Sequence, residues 1–491
     1  MRKLFILIIT LAIFLAAALA ACGPGGGGDT ADTPVNQSGG ENTGLAGEEE
    51  GPEAEIKENL PDIDFGGREF RIIVKPWGEY EVSIDENSSD DVSFNDVVIN
   101  DATYKRNLNV EENYGAAITK IVKEDVFGTV RKAVGAGTDE YELALPLMTE
   151  AAKLALEGYV HDWNGLPYID LDKPWYDQNL RSSLKINGSN YFMMGDFQIR
   201  DDDHAWILMF NKKIVRDLGL EEPYQLVNDG NWTFDKFKET IKGATIDLNG
   251  DGVYDASDQY GFLTTSAGGV TNFLYSGGEK ITDGDPDGSN KPVIRANADK
   301  VAAILEKTVD ILHNDNASFI KGSWDVFEKM FINGQGLFYS EILVHVRRLR
   351  AMDADFGVLP CPKYDAAQKD YLTHIDPASP IMCLPSPSDP EFTGVVMEAL
   401  SAESYRHVIP AFYEASLSGK VVRDDESMDM LKIIMKNHVF DMAMIFDFGG
   451  ISAVFNSLAG KGGTSYASEF EKRLDKAKSE IDKIWDQFGD R

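Results

Sequence analysis

Short apolar runs alternate along this chain with helical apolar stripes, and that alternation confines it to α/β layer architectures. Glu69–Lys75 reads as an opening strand. A helix is expected from about Ser93, with Asp96 as its capping partner, to Tyr114–Gly115. Ala116–Val122 and Tyr141–Leu147 follow as second and third strands. Strand patterns recur at Tyr191–Met194, Ala205–Phe210, Gly336–Tyr339 and Phe356–Leu359. Val301, Ile304, Leu305, Thr308 and Leu312 share one face of a helix, as do Phe470, Leu474, Ala477, Ile481, Ile484 and Phe488. Those stripes are packing faces rather than ligand sites.

The first 60 residues stand outside this pattern. Arg2 and Lys3 precede an apolar run from Leu4 to Leu19, which reads as a secretory signal too short for a comfortable membrane span. Leu19-Ala20-Ala21-Cys22 resembles the lipobox of bacterial lipoproteins, which implies a signal peptide over 1–21 and fatty acylation of Cys22. Two buried acyl chains anchor far more firmly than one. Residues 22–60 are dominated by Gly, Asp, Glu, Asn, Thr and Pro, a composition that buries too little apolar surface to order itself. They are expected to act as a flexible acidic tether.

Roughly 430 residues follow, more than one compact core usually organises. The chain is 43% hydrophobic and holds 26 Phe, 18 Tyr and 7 Trp, enough for a substantial core and for aromatic surfaces. A formal net charge of −34 argues against nucleic acid or anionic lipid as a partner. Apart from Cys22 only Cys361 and Cys383 are present, so no disulfide framework holds the fold; the two either pair or lie buried as thiols. The 7 histidines show neither HExxH nor HxxxH spacing, which speaks against a zinc protease or zinc receptor.

The most specific chemical motif is Asp247-Leu248-Asn249-Gly250-Asp251-Gly252-Val253-Tyr254-Asp255-Ala256-Ser257-Asp258. Oxygen side chains fall at loop positions 1, 3, 5, 9 and 12 with Gly at 6, the pattern of an EF-hand or dockerin-type calcium loop. Asp247, Asn249, Asp251 and Asp255, the Val253 carbonyl and the closing Asp258 would hold a structural Ca2+. Asp258 is shorter than the usual Glu, so bidentate closure is not assured. The neighbouring acidic turn Asp283–Gly288 lacks this spacing and reads as a loop.

Phe210-Asn211-Lys212-Lys213, Leu218-Gly219-Leu220, Pro223-Tyr224 and Asn231-Trp232-Thr233-Phe234-Asp235-Lys236-Phe237 together resemble the family 1 extracellular solute-binding proteins of sugar-type ABC importers, the maltodextrin-binding kind. Gln259–Phe262, Phe331–Gly336, Phe356–Pro360, Pro362-Lys363 and, upstream, Leu166–Tyr168 with Lys173–Trp175 continue the same order of motifs from about residue 65 to the C-terminus. The resemblance implies a two-lobed α/β fold of the periplasmic-binding-protein type II class that closes on ligand by hinge motion. Crossings near Asp203–Ile207 and Lys363–Tyr371 would divide it into lobe 1, 61–204 plus 366–405, and lobe 2, 205–365 plus 406–491. It also implies a monomer without catalysis, held outside the cytoplasmic membrane of a Gram-positive cell, that hands a sugar to membrane permease subunits.

Sugar sites set aromatic faces against pyranose C–H groups and carboxylates or amides against hydroxyls. The turn after the first strand offers Trp77 for stacking and Glu79 as an acceptor. Glu150 follows the third strand. Asp203 and His204 lie at the first crossing, Tyr339 and Glu341 in the segment where the family offers an aromatic residue, and Asp447 near the C-terminus. Trp206 and Trp232 are assigned to packing. Two other readings share these residues: a surface glycoside hydrolase, whose paired carboxylates only geometry can reveal, and a sensor subunit that reports ligand to a membrane kinase. No Walker motif or GxSxG elbow occurs.

Overall fold

A computed structural model describes residues 56–83, 97–285, 290–295, 299–385, 389–417, 425–455, 457 and 466–489. Cys22, the signal segment, most of the tether and the Ser93–Asp96 helix start lie outside the described residues. Lys57–Arg491 forms one compact unit. The last tether residues belong to it: Glu58 pairs with Arg406, the Lys57 carbonyl accepts from Lys173 Nζ at 3.0 Å, and Leu60 packs on the core.

Two separate sheets organise the body. The first is parallel, with strand order β2-β1-β3, where β1 is Arg68–Val74, β2 Ala116–Val122 and β3 Leu143–Ala144. Central β1 buries Phe70, Ile72, Ile73 and Val74, as expected of a strand covered on both faces. The expected third strand is cut short because Pro146 has no N–H and the chain turns into the helix Met148–Glu157. Helices Val97–Tyr114, Pro390–Glu403 and Ile409–Leu417 pack together on this side of the molecule.

The second sheet is mixed. Its strands are β4 (Trp206–Asn211), β5 (Tyr260–Leu263), β8 (Ser318–Phe319), β9 (Gly336–Ile342) and β10 (Phe356–Leu359), in the order β10-β4-β9-β5-β8. Every residue of β4 is buried, and it pairs antiparallel with both β9 and β10. Two small pairs complete the set: the hairpin β6 (Thr282–Gly284) with β7 (Pro292–Ile294), and β11 (Thr373–His374) with β12 (His438–Val439). The segment read as a plain loop, Asp283–Gly288, thus begins in the hairpin. Tyr191–Met194 forms no ladder; Met193 makes a single bridge to Met382.

Local chemistry explains the motifs after β4. Asn211 accepts from the N–H groups of Lys213 and Ile214, starting the helix Lys212–Leu218, which ends at left-handed Gly219. Thr233 accepts from Lys236 N–H to open the helix Phe234–Gly243. Trp232 is fully buried and donates to the Pro360 carbonyl at 3.0 Å. Cys361 and Cys383 are separate buried thiols; burial pushes the Cys361 pKa up to about 12 and raises that of Cys383 as well. Among the described residues no helix is long and apolar enough to cross a membrane.

Two of the passages of the chain between the sheet regions lie side by side. Ala205, just before β4, bridges antiparallel to Ile375, and the Asp376 N–H donates to the His204 carbonyl at 3.1 Å. Beyond this point Met382 and Cys383 bridge to Met193 and Ala144 of the first-sheet region.

Candidate functional site

Beside the paired crossings lies an open cleft of about 530 Å³, lined by Trp206, Thr265, Ala267, Gly268, Thr271, Trp324, His374, Asp376, Pro377 and Met444. Its residues arrive from five places in the chain. Trp206 opens β4, and Thr265 caps the helix Ser266–Ser276. Trp324 is the first residue of the helix Trp324–Ile332, and His374–Pro377 span the second crossing. Met444 comes from the helix Met442–Phe446.

The two indoles set the character of the cleft. Their centroids are 5.7 Å apart with planes tilted by 48°, and Trp324 keeps 37% of its surface exposed. Trp206 is 6% exposed and donates from Nε1 to Asp376 Oδ2 at 3.1 Å. Its assignment to packing needs correction: the ring is held in place, but it forms a wall of the cleft. Gly268 makes this fit possible, since a Cβ there would stand 3.1 Å from the Trp206 ring and 2.9 Å from Thr265 Oγ1.

Asp376 is oriented from both sides, its other oxygen accepting the Ala378 N–H at 2.8 Å. Burial raises its pKa; the Ala378 and Trp206 donors oppose that rise, and the charge of Glu341 adds to it. His374 stacks on Tyr275 with centroids 4.7 Å apart, and burial lowers its pKa to about 3, so the imidazole is neutral. Its Nδ1 is buried and has no hydrogen-bond partner among the described residues. The open indole face of Trp324, the edge of Trp206, a fixed carboxylate and two threonines suit a ligand with apolar faces and hydroxyl edges.

The residues anticipated from sequence are placed differently. Trp77, Glu79, Asp203 and His204 come together behind the crossing. Trp77 lies 6.3 Å from the His204 ring, and Glu79 pairs with Lys120 at 3.0 Å. Asp203 is fully buried, accepting from Tyr80 Oη at 2.9 Å and from Arg347 at 2.9 Å. Tyr339 and Glu341 are buried in β9, where Tyr339 Oη donates to Glu341 at 3.1 Å and His345 Nδ1 approaches Glu341 at 3.3 Å. Glu150 accepts the Leu147 N–H at 3.0 Å and so caps its own helix. Asp447 is exposed in a left-handed turn at φ 46° and takes the Ser452 hydroxyl. None of these eight lines the cleft.

Sequence reasoning missed Trp324, His374 and Asp376. Trp324 gave no separate signal, because at i, i+3 and i+7 it continues the helical stripe of Phe327 and Phe331 and reads as core. Asp376-Pro377 carried one, as a polar turn inside an apolar stretch.

The calcium-like loop is folded on itself. Gly252 takes φ 78°, and Asp247 accepts the N–H groups of Gly250 at 2.7 Å and Gly252 at 2.9 Å. Asp258 is fully buried and accepts from Leu248 and Asp255 N–H groups, while Asn249 Nδ2 donates to Asp251 at 3.0 Å. The donor set is all oxygen, as calcium requires. Among the described residues, however, no three Asp, Glu, His or Cys side chains converge on one point.

No family model matches the sequence, and no curated protein matches it. Solved structures do match its shape. The cyclic alpha-maltosyl-1,6-maltose binding protein of Arthrobacter globiformis is 17% identical, covers 86% of this chain and 99% of its own, and gives a TM-score of 0.56. A sugar transporter of Rhizobium etli in an open conformation is 13% identical over 84% of this chain and 99% of its own, at 0.57. An ABC substrate-binding protein of Listeria monocytogenes, in complex with cycloalternan, is 13% identical over 86% and 99%, at 0.52. The chain has the two-lobed solute-binding-protein fold.

Proposed function

We propose that this chain is a substrate-binding protein that captures a carbohydrate between its lobes and delivers it to an ABC importer, with no chemistry of its own. The observation that carries the reading is the tilted Trp206–Trp324 pair over a fixed Asp376, in a cleft beside the paired crossings. Aromatic faces stack on pyranose rings, and a carboxylate with spare lone pairs accepts sugar hydroxyls. The named sugar ligands of proteins with this fold support the same class, and an oligosaccharide fits an open cleft better than a closed pocket would. Isothermal titration of the purified protein with maltotriose and related gluco-oligosaccharides tests it. Saturable binding without product formation is expected; turnover would instead support a hydrolase.

The monomeric state and the permease partner belong to the same proposal, as does a lobe division at the two crossings in which Ile409–Leu417 joins lobe 1. So does the anchor at Cys22 on the outer face of a Gram-positive membrane. Mass spectrometry of the mature N-terminal peptide should find diacylglyceryl-Cys22, and Cys22→Ala should release the protein from cells. We also propose that the Asp247–Asp258 loop takes Ca2+ by exchanging the Asn249–Asp251 hydrogen bond for metal ligation. Chelator should then lower the melting temperature and calcium restore it; an unchanged melting curve together with no calcium by elemental analysis would overturn this.

A further inference from the structure

Resting on the cleft as a carbohydrate site, we propose that it selects sugar units that are uncharged or carry an amino group and rejects acidic ones, uronates and sugar phosphates alike, with Asp376 setting the choice. Among the described residues that line the cleft there is no lysine or arginine. The Arg347 guanidinium, outside the lining, is committed to buried Asp203 at 2.9 Å. His374 supplies no positive charge, because burial keeps its imidazole neutral. Thr265 and Thr271 add neutral hydroxyls to the lining and no charge.

The remaining ionisable group in the lining is the Asp376 carboxylate, and its surroundings already oppose negative charge. Trp206 Nε1 at 3.1 Å and Ala378 N at 2.8 Å each donate one hydrogen bond to it, leaving lone pairs for a hydroxyl or ammonium. Glu341 adds negative charge nearby, and burial weakens solvent screening. The N-terminus of the helix Ser266–Ser276 also borders the cleft and would favour an anion. Its Gly268 N–H, however, is taken by Thr265 Oγ1 at 2.9 Å. An acidic ligand would meet a like charge with no cation to offset it, a repulsive element of the kind that creates specificity.

Calorimetric titration of wild type and Asp376→Asn with four matched probes tests this: maltotriose, and its forms with a terminal glucuronate, 6-phosphate or glucosamine. In wild type the two acidic probes should bind roughly a hundredfold or more weakly than maltotriose, with the glucosamine form no weaker than maltotriose. In Asp376→Asn the acidic-to-neutral gap should narrow at least about tenfold. Ala267→Lys provides a second arm should Asp376→Asn fold poorly, since a cation placed in the cleft should raise acidic-probe affinity at least about tenfold. Acidic probes binding wild type as tightly as maltotriose overturn the inference, as does a gap that both variants leave unchanged. Failure of every probe to bind wild type defeats the carbohydrate reading itself, and this inference with it.

Discussion

Two places in the molecule bring an aromatic ring close to a carboxylate at the crossing between the sheets. Behind the crossing, Trp77 lies against His204, and the neighbouring carboxylates of Glu79 and Asp203 are consumed by Lys120, Tyr80 and Arg347. In front of it, Trp206 holds Asp376 by one hydrogen bond, and Trp324 keeps more than a third of its surface in solvent. The same side-chain types therefore serve two ends. Where the carboxylates have charged partners in the protein, as Glu79 and Asp203 do, the cluster holds the crossing together; where the carboxylate has neutral donors, as Asp376 does, a ligand can compete for it. Composition cannot separate the two, but hydrogen-bond accounting can.

The largest effect that tests this contrast is expected behind the crossing. Asp203→Ala leaves the Arg347 guanidinium buried without its carboxylate and should cost about 3–5 kcal/mol of stability by denaturant unfolding. In front of the crossing, Trp324→Ala should lower stability by clearly less than Asp203→Ala does while weakening sugar affinity roughly a hundredfold, about 2.7 kcal/mol. Equal losses of stability in the two variants would break the comparison.

Glu398 sharpens it from the pH side. This buried carboxylate accepts from Tyr176 Oη at 2.8 Å, and burial raises its pKa from 4.5 to about 7. Below the unfolded value both states carry the proton and no penalty exists. The penalty grows as pH rises through the interval from about 4.5 to about 7 and stays constant above it. Glu398→Gln should therefore stabilise the protein by about 3 kcal/mol at pH 8 and by nothing measurable at pH 4, read by thermal unfolding at both values. The smallest effect expected is at Gly268→Ala, where the new methyl presses on the Trp206 ring. Affinity should fall about fivefold, roughly 1 kcal/mol, with the melting temperature moving by only a few degrees.

Much of the framework was legible because it rests on local pattern. Ala116–Val122 and Phe356–Leu359 are strands with the bounds the apolar runs imply, and the long C-terminal stripe is the helix Tyr466–Gly489. Tyr141–Leu147 misled because an apolar run resembles a strand even where Pro146 and a following helix leave it little room to pair. The cleft was hidden for a different reason. Trp206, Trp324 and Asp376 are far apart in sequence, and each is ordinary alone; only the β4–β9 pairing and the Ala205–Ile375 bridge set them side by side. The residues favoured instead, Glu79, Asp203 and Glu341, have the right chemistry for a sugar, but they are engaged within the protein by Lys120, by Tyr80 and Arg347, and by Tyr339, and they do not line this cleft.

The most direct measurement is a maltotriose titration, followed by calorimetry, of wild type, Trp206→Ala and Glu79→Gln side by side. The account predicts that Trp206→Ala abolishes detectable binding while Glu79→Gln binds as wild type does. Binding lost in Glu79→Gln and retained in Trp206→Ala would place the ligand behind the crossing and contradict the assignment of the cleft.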